Sequence, residues 1–324
     1  MMFLTLFELS VFFAFVMDLI FADPEEIPHP VVIIGKGISF LEKHLRRIFP
    51  DTPAGKRHAG RICAAVIPVA TFVITMGLCI LAWKIHPAVF FVLHTIWCWQ
   101  AIAVRGLAKE ARNVYRCLPS LPDARKAVSR IVGRDTQALD EAGVIRATVE
   151  TIAENYSDGV MAPFFYMMIG GAPLAMTYKS VNTMDSMLGY KNETYIDFGR
   201  GPAHLDDVAG YIPARLGALV WILSARLTGQ NMKNAWRIWR RDNRNHASPN
   251  SAQTESACAG ALGVQLAGPA YYFGEFYDKP TIGDALRPIE TEDILRTNRM
   301  LYAASFLALL LCVIVSAALL FVLK

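Results

Sequence analysis

Charge is scarce in this chain. Only 19% of its 324 residues are Asp, Glu, Lys or Arg, and 54% are hydrophobic; soluble domains carry roughly a quarter charged residues. The net charge is +4 and the mean hydropathy is +0.32. So apolar a composition excludes intrinsic disorder, and so small a charge excludes a nucleic-acid-binding tail. The six cysteines stand at 63, 79, 98, 117, 258 and 312 with no CxxC among them. Four lie in or beside apolar runs, where Cys acts as a small hydrophobe. Neither a disulfide framework nor a bound zinc or haem is expected. GxxxxGK[ST] and GxGxxG are both missing, so no P-loop cradles a nucleotide. There is no internal repeat and no Gly/Ser linker. The chain reads as one membrane-embedded domain, 1–324.

What is present is a set of long uncharged runs. Ile62 to Trp83, His86 to Val104, Val160 to Tyr178 and Leu301 to Leu323 hold 22, 19, 19 and 23 residues without a charge. A membrane span needs about 20. The first 22 residues are interrupted only by Glu8 and Asp18. With no basic segment before them and no small-residue cleavage site, they read as a membrane helix instead of a signal peptide. The expectation is an all-α polytopic membrane protein with about five spans, broken or re-entrant helices, and helical cytoplasmic loops.

The charges lie between these runs. Residues 105–159 hold nine basic and eight acidic side chains, 23–61 hold seven basic ones, and 226–257 hold six basic against two acidic. Only Lys84 separates the first two internal spans. The positive-inside rule therefore places 23–61 and 105–159 in the cytoplasm of a cell-membrane protein. Pro119 and Pro122 divide 105–159 into helices, with another start expected at Asp135. Gly159, Pro163, Gly170, Gly171 and Pro173 predict that Val160 to Tyr178 is kinked or re-entrant. The small residues of Ala257 to Phe273 favour close packing over lipid contact. Asp207 to Leu227 reads as an amphipathic or interior helix.

Three polar segments abut apolar ones. The first runs from Arg134 to Glu150, Glu154, Asn155 and Asp158. The three acids are spaced i, i+4, i+8, so on one helix they share a face and repel. A cation relieves that repulsion, and a carboxylate row suits Mg²⁺; a solvated face is the bland alternative. The second carries Lys179, Asn182, Asp185, Lys191 and Asn192, followed by Asp206 and Asp207. Lysine suits a phosphate oxygen; the alternative is an interfacial loop whose charges snorkel to water. The third runs from Arg240 to His246 and on through Ser248, Pro249, Asn250 and Glu255. Ser248 before Pro249 predicts a helix start, whose free N–H groups suit an anion. The arginines alone are explained by the positive-inside rule. His29, between Pro28 and Pro30, reads as a packed loop histidine.

With these segments in view, the chain resembles the membrane-bound adenosylcobinamide-phosphate synthases of cobalamin biosynthesis, the CobD/CbiB family. The likeness covers nearly the whole length. It is carried by Asp23-Pro24, Pro28-His29-Pro30, Glu154-Asn155, Asp158-Gly159, Ala162-Pro163, Tyr178-Lys179, Asn182-Thr183 and Asp185-Ser186-Met187. It continues through Gly189-Tyr190-Lys191-Asn192, Phe198-Gly199, Asp206-Asp207, Pro213-Ala214-Arg215-Leu216, Ser248-Pro249-Asn250-Ser251 and Ala259-Gly260-Ala261-Leu262-Gly263. Gly201-Pro202-Ala203-His204 and Ala252-Gln253-Thr254 depart from the family pattern, which bears on substrate preference.

The resemblance implies an ATP-dependent ligase that joins adenosylcobyric acid to aminopropanol or its O-phosphate. ATP and Mg²⁺ are the implied cofactors. Glu154, Asp158, Asp185 and Lys179 are the candidate catalytic groups. Arg134, Asn155, Asn182, Lys191, Asn192, Ser248, Asn250 and Glu255 are candidate substrate or phosphate ligands. Asp185, Asp206 and Asp207 are the candidate metal ligands. The implied partners are the corrinoid, the amine and the lipid bilayer, with no nucleic acid. Assembly as a homo-oligomer or with other membrane enzymes of the pathway stays open. The rival class is a permease for a corrinoid or a metal ion, since broken intramembrane helices also mark transporters.

Overall fold

The computed structural model describes every residue except Met1, Asp23, Glu25, Glu26, Lys191, Phe273, Leu323 and Lys324. Asp23, quoted for the family likeness, and the candidate ligand Lys191 therefore lie outside the described residues. The chain is an all-α polytopic membrane protein. Five helical stretches are long and apolar enough to cross a bilayer: Pro53–Ile85, Pro87–Cys117, Glu141–Leu188, Arg200–Leu227 and Glu292–Ser316. The first residues form a further helix of 20 residues, α1 (Met2–Phe21). Strand among the described residues is limited to two short antiparallel pairs within residues 266–282.

Several helices open on the same local signal, a side-chain cap followed by proline. His29 caps α2 (Pro30–Ile48), its Nδ1 accepting the Val31 N–H at 3.2 Å. Thr52 caps α3 (Pro53–Ile85) and His86 caps α4 (Pro87–Ala101) in the same way. Each cap satisfies an N–H that the first turn leaves open, and proline has no N–H to satisfy.

Backbone packing gathers the chain into two compact units. Unit 1 comprises Met1–Ile102, Ala162–Gly210 and Leu311–Lys324. One of its cores joins Ile38 and Leu45 of α2, Cys63 and Ile67 of α3, and Met184, Leu188 and Phe198. It also contains the whole of α8 (Ala162–Leu188), which bends at Gly170 and Gly171. This is the kinked form of the segment for which the sequence allowed a kink or a hairpin. Gly171 has φ +64°, and a Cβ there would lie 2.3 Å from His94 Nε2; only glycine fits. The break frees the Ala172 N–H, which donates to His94 Nε2 at 3.0 Å, while His94 Nδ1 meets Ser10 Oγ at 2.6 Å. One buried imidazole thus satisfies the backbone group that the kink exposes.

Unit 2 comprises Ala103–Met161 and Tyr211–Leu310. It holds α5 (Val104–Cys117), α6 (Leu121–Val128) and α7 (Glu141–Tyr156), then a π-helical turn over Ser157–Met161. The third start differs from the sequence expectation. Asp140, not Asp135, caps α7, accepting the Gly143 N–H at 2.7 Å. Asp135 instead accepts the Gly274 N–H at 2.7 Å, a contact 139 residues away in sequence. The long helix α9 (Arg200–Leu227) begins in unit 1 and ends in unit 2, and by length and composition it qualifies as a span in its own right. Helix α10 (Met232–Asp242) packs on α11 (Ser251–Leu262), where a Cβ on Gly260 would meet the Asn234 carbonyl at 2.6 Å. Every residue of α11 is buried. It starts at Ser251 with Asn250 as cap residue, two positions past the expected Ser248. Ser248 Oγ accepts the Asn250 N–H at 3.3 Å, forming a turn ahead of the helix.

Candidate active site

The acids of α7 are the natural place to begin, and the structure gives them different jobs. Glu150 is buried and fully engaged. Its Oε2 pairs with Arg134, and its Oε1 accepts the Ala267 N–H at 2.6 Å. Burial alone lowers the Arg134 pKa, but the adjacent Glu150 carboxylate outweighs it and the net shift is upward. One turn on, Glu154 Oε1 accepts the Ser251 hydroxyl at 2.8 Å. Asp158 lies in the π-helical turn. The wider turn moves it off the 3.6-residue stripe on which Glu150 and Glu154 sit.

Glu255 is the exceptional group. It is 4% exposed, in the middle of the fully buried α11. Burial drives its pKa well up, and the charges of Glu154 and Glu150 push the same way. Arg134 and Lys279 oppose the shift. Lys279 is held by Tyr272, donating to the phenol oxygen at 2.6 Å. His246 completes the group: it, Glu154 and Glu255 offer ligand atoms all within 4.8 Å of one another. Burial lowers the His246 pKa, against the pull of Glu154.

That spacing suits a metal, but the imidazole does not. A neutral ring has one lone pair, and His246 Nδ1 accepts the Ser248 N–H at 3.1 Å. The ring then presents an N–H, a donor to carboxylates. Glu154, Glu255 and His246 thus gather two acids and an imidazole in one place.

The remaining candidates are distributed as follows. Asn155 Nδ2 donates to its own helix at Thr151 O, 2.9 Å away. Asn250 Oδ1 accepts from Arg215 at 3.3 Å. Unit 1 carries Lys179, Asn182 and Asp185 on α8, where the Ser186 hydroxyl donates to the Asn182 carbonyl. Asp185 O accepts the Gly189 N–H at 2.7 Å. Asn192 Oδ1 accepts the Tyr195 N–H at 3.0 Å, closing the turn before α9. Asp206 and Asp207 follow on α9, and Asp207 lines a cavity of about 750 Å³. Among the described residues, Asp185, Asp206 and Asp207 do not form a three-ligand group like that of Glu154, His246 and Glu255. Unit 2 thus brings Arg134, Glu154 and Glu255 to one centre. Sequence reasoning did not single out His246, Ser251 or Lys279 for it. His246 ended a basic run, and nothing in the residue pattern marked its turn with Ser248.

An all-α membrane fold defines a class, a polytopic membrane protein, here with acids gathered in its buried interior. Comparison narrows it. The family model for the CobD/Cbib protein matches residues 11–301. The chain is 46% identical over 309 residues to the cobalamin biosynthesis protein CobD of Clostridium perfringens, covering 95% of this chain and 97% of that one. It is 46% identical over 308 residues to CobD of Geobacter metallireducens, covering 94% and 96%. It is 47% identical over 300 residues to CbiB of Salmonella choleraesuis, covering 92% and 94%. No solved structure matches. The chain belongs to the CobD/CbiB family.

Proposed function

We propose that the chain is an amide-forming ligase of cobalamin biosynthesis. It joins a carboxylate of adenosylcobyric acid to the amine of aminopropanol or its O-phosphate, with ATP as energy source and its polar segments facing the cytoplasm. The observation that carries the reading is Glu255, a carboxylate buried beside Glu154 and His246 inside a family of cobalamin-biosynthesis proteins.

The chemistry needs such a group. A carboxylate is a poor electrophile until a phosphoryl group from ATP converts it to an acyl phosphate. An ammonium has no lone pair until a base removes its proton. Glu154 attracts the ammonium, and Glu255, once ionised beside that cation, has the raised proton affinity that a base for this step requires. The amine then attacks the acyl carbon, the C–O bond to phosphate breaks, and inorganic phosphate leaves. The Ser251 hydroxyl fixes Glu154. Arg134 is tied to Glu150 and supplies positive charge beside the same centre.

Mg²⁺ takes oxygen donors from one or two carboxylates together with phosphates and water. Asp207, opening on its cavity beside Asp206, fits that donor type, and Asp185 is a third such donor. When bound, the ion would supply positive charge to the phosphates of ATP. Lys179 contributes a further cation on α8.

Product analysis tests the proposal. Purified protein with ATP, adenosylcobyric acid and either amine should form the amide, identified by mass. A permease would take up corrinoid or metal in vesicles and form no product.

A further inference from the structure

The cavity of unit 1 is lined by basic groups that the reaction scheme leaves unused. Arg57 and Arg61 stand four residues apart on α3, and Arg200 and His204 stand four residues apart on α9. Two helices therefore each turn a pair of nitrogen donors into one space of about 750 Å³. The acidic side chain in the lining is Asp207. Arg57 is paired with Asp197 at 2.9 Å. Neither Arg61 nor Arg200 makes an ion pair among the described residues.

Some arginines elsewhere are paired with carboxylates. Arg237 and Arg241 share Asp284, Arg287 and Arg296 share Asp293, and Arg130 meets Glu110. At the cavity, basic side chains of two helices line one space, and the helices that carry them touch backbone to backbone. A Cβ on Gly60 would lie 1.9 Å from the Phe198 carbonyl oxygen, and one on Gly201 would lie 3.2 Å from the Arg61 backbone nitrogen. These glycines let the start of α9 settle directly onto α3. That contact fixes the backbones that carry Arg61 and Arg200, so the two side chains start from set positions on the cavity wall.

Guanidinium pairs match phosphate oxygens in geometry and charge. The volume exceeds what a bare phosphate needs and falls within the range of organic-ligand pockets. Tyr190, Tyr195 and Ile196 add aromatic and apolar surface for the rest of the molecule. We propose that this cavity binds an organic phosphate through Arg61, Arg200 and His204. The phosphate group can come from a soluble ester or nucleotide, or from an anionic lipid headgroup. The inference does not depend on amide formation: a chain that made no product could still bind phosphate here.

Calorimetry on the full chain in phosphatidylcholine nanodiscs tests it, with ATP and aminopropanol O-phosphate as soluble probes. A second arm replaces part of the lipid with phosphatidylglycerol and counts retained lipid by native mass spectrometry. In at least one arm the wild-type chain should bind, and Arg61→Gln/Arg200→Gln should weaken binding by about tenfold or more. Each single variant should show a smaller loss. Lys43→Gln/Arg47→Gln removes two exposed charges from α2 and should leave binding unchanged. Soluble binding alone identifies an ester or nucleotide; retained phosphatidylglycerol alone identifies a headgroup. No binding in either arm overturns the inference. So does equal binding by the single arginine variants and wild type, or an equal loss in the α2 control.

Discussion

The two charged regions of this protein are built in opposite ways. In unit 2, acids are buried, with cationic side chains placed beside them: Arg134 on Glu150, and Lys279 near Glu255. In unit 1, basic groups open on a cavity, and part of their charge has no carboxylate to meet among the described residues. A buried carboxylate must be compensated by a proton, a cation or a substrate, since the interior solvates charge poorly. An open guanidinium is compensated by water at little cost. The first arrangement suits chemistry that moves a proton, and the second suits capture of an anion. The same substitution, charge to amide, should therefore have very different effects in the two places.

The largest effect belongs to Glu255. Glu255→Gln preserves shape and removes the base, so amide formation should fall by about 10²–10⁴-fold in a product assay. The next is Arg134→Gln. It leaves Glu150 buried without its partner, at a cost of about 3 kcal/mol in denaturant unfolding. The third is a pH effect. The folded-state pKa of Glu255 lies above its unfolded value, so its contribution to stability is complete below the unfolded pKa and is lost as pH rises through the folded one. Melting curves should show Glu255→Gln gaining on wild type as pH rises, and the gap closing in acid. The smallest effect belongs to Arg57→Gln. Its partner Asp197 is 22% exposed and Arg57 itself 38%, so the loss should be about 0–1 kcal/mol. If Arg57→Gln cost as much as Arg134→Gln, the contrast between the regions would fail.

Much of the fold was legible in the sequence because the bilayer imposes a simple rule on composition. Uncharged runs marked Pro53–Ile85, the helices from Pro87 and the C-terminal helix, and glycine with proline marked the bend in α8. Local signals were less dependable where a tertiary contact competed. Asp135 reads as a helix cap as well as Asp140 does, but the Gly274 N–H claims its carboxylate. The acidic centre was half legible. Glu154 and Glu255 were both singled out, one as a catalytic group and one as a ligand. Their meeting was not, since Ser251 reaches Glu154 across 97 residues of sequence. The donor role of His246 depends on one backbone hydrogen bond that no residue pattern encodes.

The central claim is that Glu255 accepts the proton released when the amine becomes a nucleophile. The direct measurement is single-turnover formation of the amide, followed by mass, with adenosylcobyric acid and ATP saturating and the amine varied from acid to alkaline pH. The account predicts a rate loss of about 10²-fold or more for Glu255→Gln, with part of the loss recovered at alkaline pH, where free amine replaces ammonium. Near-normal turnover by Glu255→Gln across that range would contradict it.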